Sequence, residues 1–274
     1  MFSVLDMFTI GVGPSSSHTV GPMCAAQAFA SSLEESGAVS RVGRIRVVLY
    51  GSLSLTGLGH GTDRAILAGL EGNVPATVDT DYLLSVRERC AHDGTIHVNG
   101  TNAIAYDDDG DMVFDRWKRL APHPNGMRFQ AFDAQGNIID EQVWYSIGGG
   151  FIRRGRIDDA LISNHEQTPA SSQSPEDSGN DEAAEYGDGV PYPFVSCDGL
   201  IDLCRKHHLS IADVVWANET ARRSPQEVRD RLTRIWNVMS HCIDAGCASA
   251  TPTLPGGLDV PRRAPLMYRR LAEI

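Results

Sequence analysis

No stretch of this chain approaches the ~18 consecutive apolar residues that a membrane-spanning helix requires. Its first residues, Met1-Phe2-Ser3-Val4-Leu5-Asp6, have neither the basic segment nor the apolar segment of a secretory signal. These absences argue against a bilayer span and a cleaved leader, and the expectation is a cytoplasmic protein. Positive charge is also short: 24 Lys and Arg stand against 35 Asp and Glu, a formal net charge of -11. That balance disfavours a nucleic-acid backbone or an anionic membrane surface as partner. A small anionic substrate stays open, because local donors decide its binding. The six cysteines are too few for a disulfide-stapled scaffold of 274 residues, and reduced thiols are expected. Six residues separate Cys197 from Cys204, and four separate Cys242 from Cys247. Neither spacing makes a zinc site or a complete iron–sulfur run. With Cys24 and Cys90 they read as small apolar core residues on helices. No G-x-S-x-G elbow occurs, which removes the main support for a serine hydrolase.

The patterns that are present divide the chain in two. A helix from Val20 to Ser36, closing at Gly37, leads to a β-branched strand at Arg44–Tyr50. The glycine-rich loop Gly57-Leu58-Gly59-His60-Gly61-Thr62-Asp63 then opens a helix to Leu70. Further strands are expected at 95–98, 127–133 and 138–147, the last two joined by the turn Ala134-Gln135-Gly136-Asn137. Helices mixed with hairpins indicate an α+β domain with a mixed or antiparallel sheet, set at residues 1–160. Asp107-Asp108-Asp109-Gly110-Asp111 resembles part of a calcium loop without its later Glu, and reads as an acidic hairpin tip. Residues 161–190 form the next segment. Between His165 and Val190 there are seven Asp and Glu and no Lys or Arg, the composition of a flexible acidic linker. Residues 191–274 then read as wholly helical. Its helices are expected at 197–207, at 210–222 with Ser210 as cap, from Ser224-Pro225 through Ile243, and at 266–274.

The densest chemistry lies in Gly13-Pro14-Ser15-Ser16-Ser17-His18-Thr19. Hydroxyls at a helix start either cap the helix or, with its unpaired N–H groups, seat a carboxylate or phosphate. His18, His60 and His123 all sit in loops pinned by Gly or Pro, where an imidazole can approach a ligand and move protons near neutral pH. Asp63 either orients His60 or serves the first turn of its own helix. A Ser17–His18 nucleophile pair is discounted, because adjacent side chains rarely meet at hydrogen-bonding geometry.

Read in order, these segments resemble the bacterial iron–sulfur L-serine dehydratases. The resemblance rests on Ser3-Val4-Leu5-Asp6-Met7-Phe8, Ile10 to Met23, Thr56 to Asp63 and His123-Pro124-Asn125-Gly126-Met127. It continues through Ser146 to Ile152, Pro191-Tyr192-Pro193-Phe194, Asn218-Glu219, Leu254 to Gly257 and Arg262-Arg263-Ala264. It implies an α+β domain followed by the beginning of a helical catalytic domain. The activity implied is conversion of L-serine to pyruvate and ammonia without pyridoxal phosphate. A four-iron four-sulfur cluster would act as Lewis acid on the substrate hydroxyl. Carried onto this chain, Ser15, Ser16, Ser17, Thr19 and Asn125 would bind substrate. His60, His123 and His18 would be catalytic, with Thr62, Asp63, Asn218 and Glu219 behind them. None of the six cysteines matches the family's cluster ligands, so this chain is expected to hold no metal and to be inactive alone. The missing helical domain would lie in the same or a separate polypeptide, and the family expectation is a homodimer. The competing reading is a serine-binding regulatory module, since the domain also resembles the allosteric substrate-binding domain of some phosphoglycerate dehydrogenases. A scaffold with no ligand, its hydroxyl cluster a plain cap, is the third.

Overall fold

The computed structural model describes residues 3–164, 189–254 and 259–273. They divide into two units. One comprises the described residues of Ile10–Gln167 and Thr251–Arg262, the other those of Met1–Thr9, Thr168–Ala250 and Arg263–Ile274.

The first unit is an α+β layer structure. Its elements in chain order are α1 (Gly21–Glu35), β1 (Arg44–Tyr50), α2 (Gly51–Thr56), α3 (Thr62–Leu70) and α4 (Thr80–Asp93). They continue with β2 (Thr95–Val98), β3 (Asn102–Ala105), α5 (Asp108–Asp111), β4 (Met112–Asp115) and β5 (Lys118–Leu120). The last are β6 (Gly126–Phe132), β7 (Ile138–Gly148), β8 (Phe151–Arg154) and β9 (Leu161–Ser163). The main sheet runs β2-β3-β1-β6-β7-β8, with β4 also paired to β1. Pairing is parallel between β1 and β4 and antiparallel through β1, β6, β7 and β8.

Period-two alternation in β1 explains how the sheet is covered. Ile45, Val47 and Leu49 join α1, α3 and α4 in the main core, where Phe29 stacks on Phe129 with ring centroids 5.2 Å apart. Val48 and Tyr50 face the other way and pack with Leu120, Val143 and Tyr145. The turn after β6 is set by Asp133, whose carboxylate accepts the N–H groups of Gln135 and Asn137 at 2.9 and 2.8 Å.

Several local readings change. Residues 107–111 are a short helix and not a hairpin tip: Asp111 is buried against Arg44, and Asp108 pairs with Arg87. Helix α4, whose charged residues dilute its apolar stripe, is capped by Asp79, which accepts the Tyr82 N–H at 2.8 Å. Leu161–Ser163, placed by composition at the head of the acidic linker, is a strand paired with β5. The rest of that linker, 165–188, lies outside the described residues, as do 255–258 of the Leu254 to Gly257 motif.

The second unit contains α6 (Cys197–His207), α7 (Ile211–Thr220), α8 (Pro225–Ala248) and α9 (Ala264–Ala272). Ser210 and Asp213 form a reciprocal capping box, and Ser224 accepts the Glu227 N–H ahead of Pro225. Leu266, Met267, Tyr268 and Leu271 of α9 are exposed. All six cysteines lie on helices, but only Cys90 is buried, while Cys197 and Cys242 are exposed and so are not core residues.

Helices α1 and α3 cross closely at Gly69, where an added Cβ would lie 2.4 Å from the Met23 carbonyl oxygen. Ala is the better helix former, yet backbone cannot yield there. Gly69→Ala is therefore expected to destabilise the fold by about 1–3 kcal/mol, read as a lower urea midpoint at constant slope. An unchanged or raised midpoint would contradict this close approach.

Candidate active site

The serine-rich loop enters α1 through a wide turn, Ser16–Val20, wound as a π-helix. Ser15 caps it: its hydroxyl accepts the His18 N–H at 3.1 Å, and its carbonyl accepts the N–H of Thr19 at 2.9 Å and of Val20 at 3.1 Å. The capping reading thus holds for Ser15. Ser16 is exposed and Ser17 half-buried, and both occupy first-turn positions that have no intrahelical acceptor for their N–H groups. The oxygens of Ser15 and Ser17 lie 3.4 Å apart.

Adjacent side chains do meet here. Ser17 Oγ is 2.9 Å from His18 Nδ1, against the expectation for neighbouring residues. The far nitrogen of His18 lies 3.1 Å from Ser52 Oγ, so a hydroxyl stands where a serine hydrolase would place a carboxylate.

The His60 loop is locked to this turn by two crossed hydrogen bonds. Thr19 donates its hydroxyl to the His60 carbonyl at 2.8 Å, and Thr62 donates to the His18 carbonyl at 2.5 Å. Thr19 is 1% and Thr62 0% exposed, so both hydroxyls are shielded from competing water. Thr19, grouped by sequence with the substrate binders, has its hydroxyl committed to this clasp. The two imidazoles lie next to each other, their centroids 4.9 Å apart and their planes tilted by 45°. His60 Nδ1 lies 2.9 Å from the Thr56 carbonyl. A carbonyl only accepts, so Nδ1 carries the ring proton and Nε2 its lone pair.

His123 has the opposite polarity. Its Nδ1 accepts the backbone N–H of Asn125 at 3.0 Å, which puts the proton of the neutral ring on Nε2. The Asn125 amide donates to the Ser146 carbonyl at 3.1 Å, and Ser146 N–H returns a bond to the Asn125 carbonyl at 3.0 Å. This loop is tied to the first two through α2: Ser52 N–H donates to the Pro124 carbonyl at 2.9 Å. The structure therefore brings Ser15, Ser17, His18, Thr19, His60 and Thr62 together, with His123 and Asn125 joined to them by α2.

Asp63 does not orient His60. It lies buried in the first turn of α3 and pairs with Arg87, which also grips Asp108 at 2.8 Å. An open cleft of about 490 Å³ runs past these groups, lined by Pro14, Thr19, His60, Asp63, Arg64 and Arg87. Ser52, Thr56 and Arg87 were not singled out from sequence. Asn218 and Glu219 belong to the second unit and perform anchoring there. Asn218 exchanges two hydrogen bonds with the Tyr192 backbone, at 2.9 and 2.8 Å. Glu219 accepts from the Ser3 hydroxyl and the Val4 N–H, each at 2.8 Å, and pairs with Arg223.

Among the described residues, no three of His, Cys, Asp and Glu assemble as a metal-holding group.

Burial lowers the pKa of His18, helped by the neighbouring His60 and partly opposed by Ser52. Burial also lowers that of His123, helped by the charge of Arg153. Both rings are thus held neutral to lower pH than free histidine, near 6.5. Below that pH the unfolded chain takes up protons that the folded chain refuses. Their contribution to stability is complete above about pH 6.5 and is lost as pH falls toward the depressed folded values. The melting temperature is expected to drop between pH 7 and pH 5, and less steeply in His123→Gln. Equal slopes for the two proteins would remove His123 from this account.

Residues 3–156 match the family described as serine dehydratase beta chain. The chain is 41% identical to an L-serine dehydratase of Streptomyces coelicolor over 98% of its own length and 54% of that protein's. It is 39% identical to L-serine dehydratase 1 of Escherichia coli over 100% of its length and 55% of that protein's, and 36% identical to an L-serine dehydratase of Haemophilus influenzae over 99% and 54%. It thus spans about half the length of the curated relatives it matches. Among the described residues, no helix is long and apolar enough to cross a membrane. With a match that runs from residue 3 to residue 156, over the sheet and all three histidine loops, the chain belongs to the serine dehydratase beta chain family.

Proposed function

We propose that this chain is the substrate-binding and proton-transferring part of an L-serine dehydratase, an L-serine ammonia-lyase that yields pyruvate and ammonia. The observation that carries the reading is the crossed clasp, which presents a hydroxyl-rich helix start and two neighbouring imidazoles as one rigid surface. The substrate carboxylate is placed at the Ser16 and Ser17 hydroxyls and their first-turn N–H groups, a seat suited to an anion in a chain of net negative charge. Asn125 is placed beside the substrate, with its amide already oriented by Ser146.

His60 is assigned as the base. Its Nδ1–H is held by the Thr56 carbonyl, leaving the Nε2 lone pair to take the α-proton of serine. His123 offers Nε2–H and so serves as a donor toward substrate oxygen. His18 has hydroxyls at both nitrogens and serves as a neutral connector between Ser17 and Ser52. Loss of the α-proton leaves the electron pair that forms the Cα–Cβ double bond as the hydroxyl departs and leaves as water. The resulting aminoacrylate tautomerises to an imine, and water releases pyruvate and ammonium.

In this reading the ligands of a four-iron four-sulfur cluster lie outside this chain, in the remaining half that its relatives possess, and no pyridoxal phosphate takes part. The exposed apolar side chains of α8 and α9, among them Trp236, Ile243, Leu266 and Leu271, support a covering partner for that unit.

The test is anaerobic co-expression of the chain with the C-terminal half of the Streptomyces coelicolor relative, followed by iron and sulfide loading and a pyruvate assay. The pair is expected to turn over L-serine, and His60→Gln to lower kcat by roughly 10²- to 10⁴-fold with little change in KM. Ser17→Ala is expected to raise KM. Serine binding by the chain with no turnover in the pair would favour the regulatory module instead.

A further inference from the structure

Helix α2, only six residues long, touches every one of the three histidine loops. We propose that Ser52 is the positioning residue of this site and that α2 is the bracket holding the histidine loops in register. The proposal rests on the catalytic reading above, although its geometry is independent of it.

Three observations carry it. Ser52 Oγ lies 3.1 Å from His18 Nε2, and its own backbone N–H reaches the Pro124 carbonyl at 2.9 Å. One residue therefore joins the His18 turn to the His123 loop. Four residues on, the Thr56 carbonyl holds His60 Nδ1, while the Thr56 hydroxyl donates to the Ser52 carbonyl at 2.9 Å. The third observation is the entry to the helix. Gly51 has φ +56°, and a Cβ there would lie 2.3 Å from the Pro124 oxygen. Only glycine lets α2 approach the His123 loop this closely.

The chemistry of Ser52 follows from what a hydroxyl can do and an alkyl group cannot. A neutral imidazole has one donor and one acceptor nitrogen, and a hydroxyl satisfies either. With Ser17 at Nδ1 and Ser52 at Nε2, the His18 ring is fully bonded in both tautomers, so its plane is fixed while its proton is free to sit on either nitrogen. Removing the Ser52 hydroxyl leaves Nε2 without a partner and the ring held at one end. Ser17, which shares the other end, then loses its fixed orientation beside the substrate carboxylate.

Side-chain nitrogen NMR of the histidines in the full chain tests this without turnover, and kinetics of the assembled pair test its consequence. Ser52→Ala is expected to move the His18 ring signals and leave those of His60 in the same tautomer. It should lower kcat about 10- to 100-fold with a smaller change in KM, and Ser52→Thr should restore both. Ser54→Ala is the control for a merely structural effect: Ser54 lies on the same helix, buried, and donates to the Gly51 carbonyl at 2.8 Å without touching a histidine. It is expected to lower the melting temperature while leaving the His18 signals in place. Unmoved His18 signals in Ser52→Ala, or equal movement in Ser54→Ala, would overturn the proposal. If Ser52→Ala does not fold, Ser52→Thr decides: native His18 signals with normal kcat support it, and displaced signals in a folded protein overturn it. If the wild-type pair makes no pyruvate, the catalytic reading fails, and the NMR comparison alone still decides whether Ser52 positions His18.

Discussion

Two threonine hydroxyls, each buried and each bonded to the other loop's histidine carbonyl, set the geometry on which the site depends. Thr19 and Thr62 lie 43 positions apart in the sequence numbering, yet their bonds cross between the same two turns. A buried hydroxyl without a partner costs about 1–3 kcal/mol, so neither loop can withdraw without leaving polar groups unsatisfied. The loops are therefore held by hydrogen bonds that are directional, short and protected from water. The imidazoles inherit their separation from this arrangement and not from contact with each other.

The sheet and its helices supply the rigidity behind the clasp. The wide turn feeds α1, the His60 loop feeds α3, and these two helices make a backbone-close crossing at Gly69. Both pack on the main core through Phe29, Leu33, Ile66 and Leu67. Strand β1 then delivers α2, and the turn before β6 delivers His123 and Asn125. Farther out, Arg87 ties α3 to the segment before β4 through Asp63 and Asp108. An arginine between two carboxylates answers the charge of Asp63, which burial alone would make costly.

How much of this could be read from sequence depended on whether the partner was local. His18, His60 and His123 stood out because Gly and Pro flank them, and strands β1, β6 and β7 because apolar periodicity is a local signal. Ser210 and Ser224 were legible as caps because their acceptors and donors are three residues away. Ser52 was not, because its partners, His18 and Pro124, are distant in sequence and nothing in Gly-Ser-Leu-Ser-Leu-Thr marks a junction. Asp63 was ambiguous for the same reason: His60 was the nearby candidate, and Arg87, its real partner, was out of view. The bond from the Thr19 hydroxyl to the His60 carbonyl was equally out of view, because 41 positions separate the two residues. The acidic run at 107–111 read as surface because charge usually is, and Asp107 and Asp109 are exposed, but Asp111 is buried with its charge answered by Arg44. The α4 helix carries only a weak local signal, because charged residues dilute its apolar stripe to Leu83, Val86 and Cys90.

The acceptors of the clasp are main-chain carbonyls, and this separates the machinery from its mounting. Any residue at position 18 or 60 presents the same carbonyl oxygen, so the loops remain tied whatever side chain they carry. A lineage could exchange the imidazoles for other groups and keep the scaffold, acquiring a new reaction or retaining binding alone. By contrast, drift at Thr19 or Thr62 would disturb both loops at once, so these quiet positions should be the slower to change.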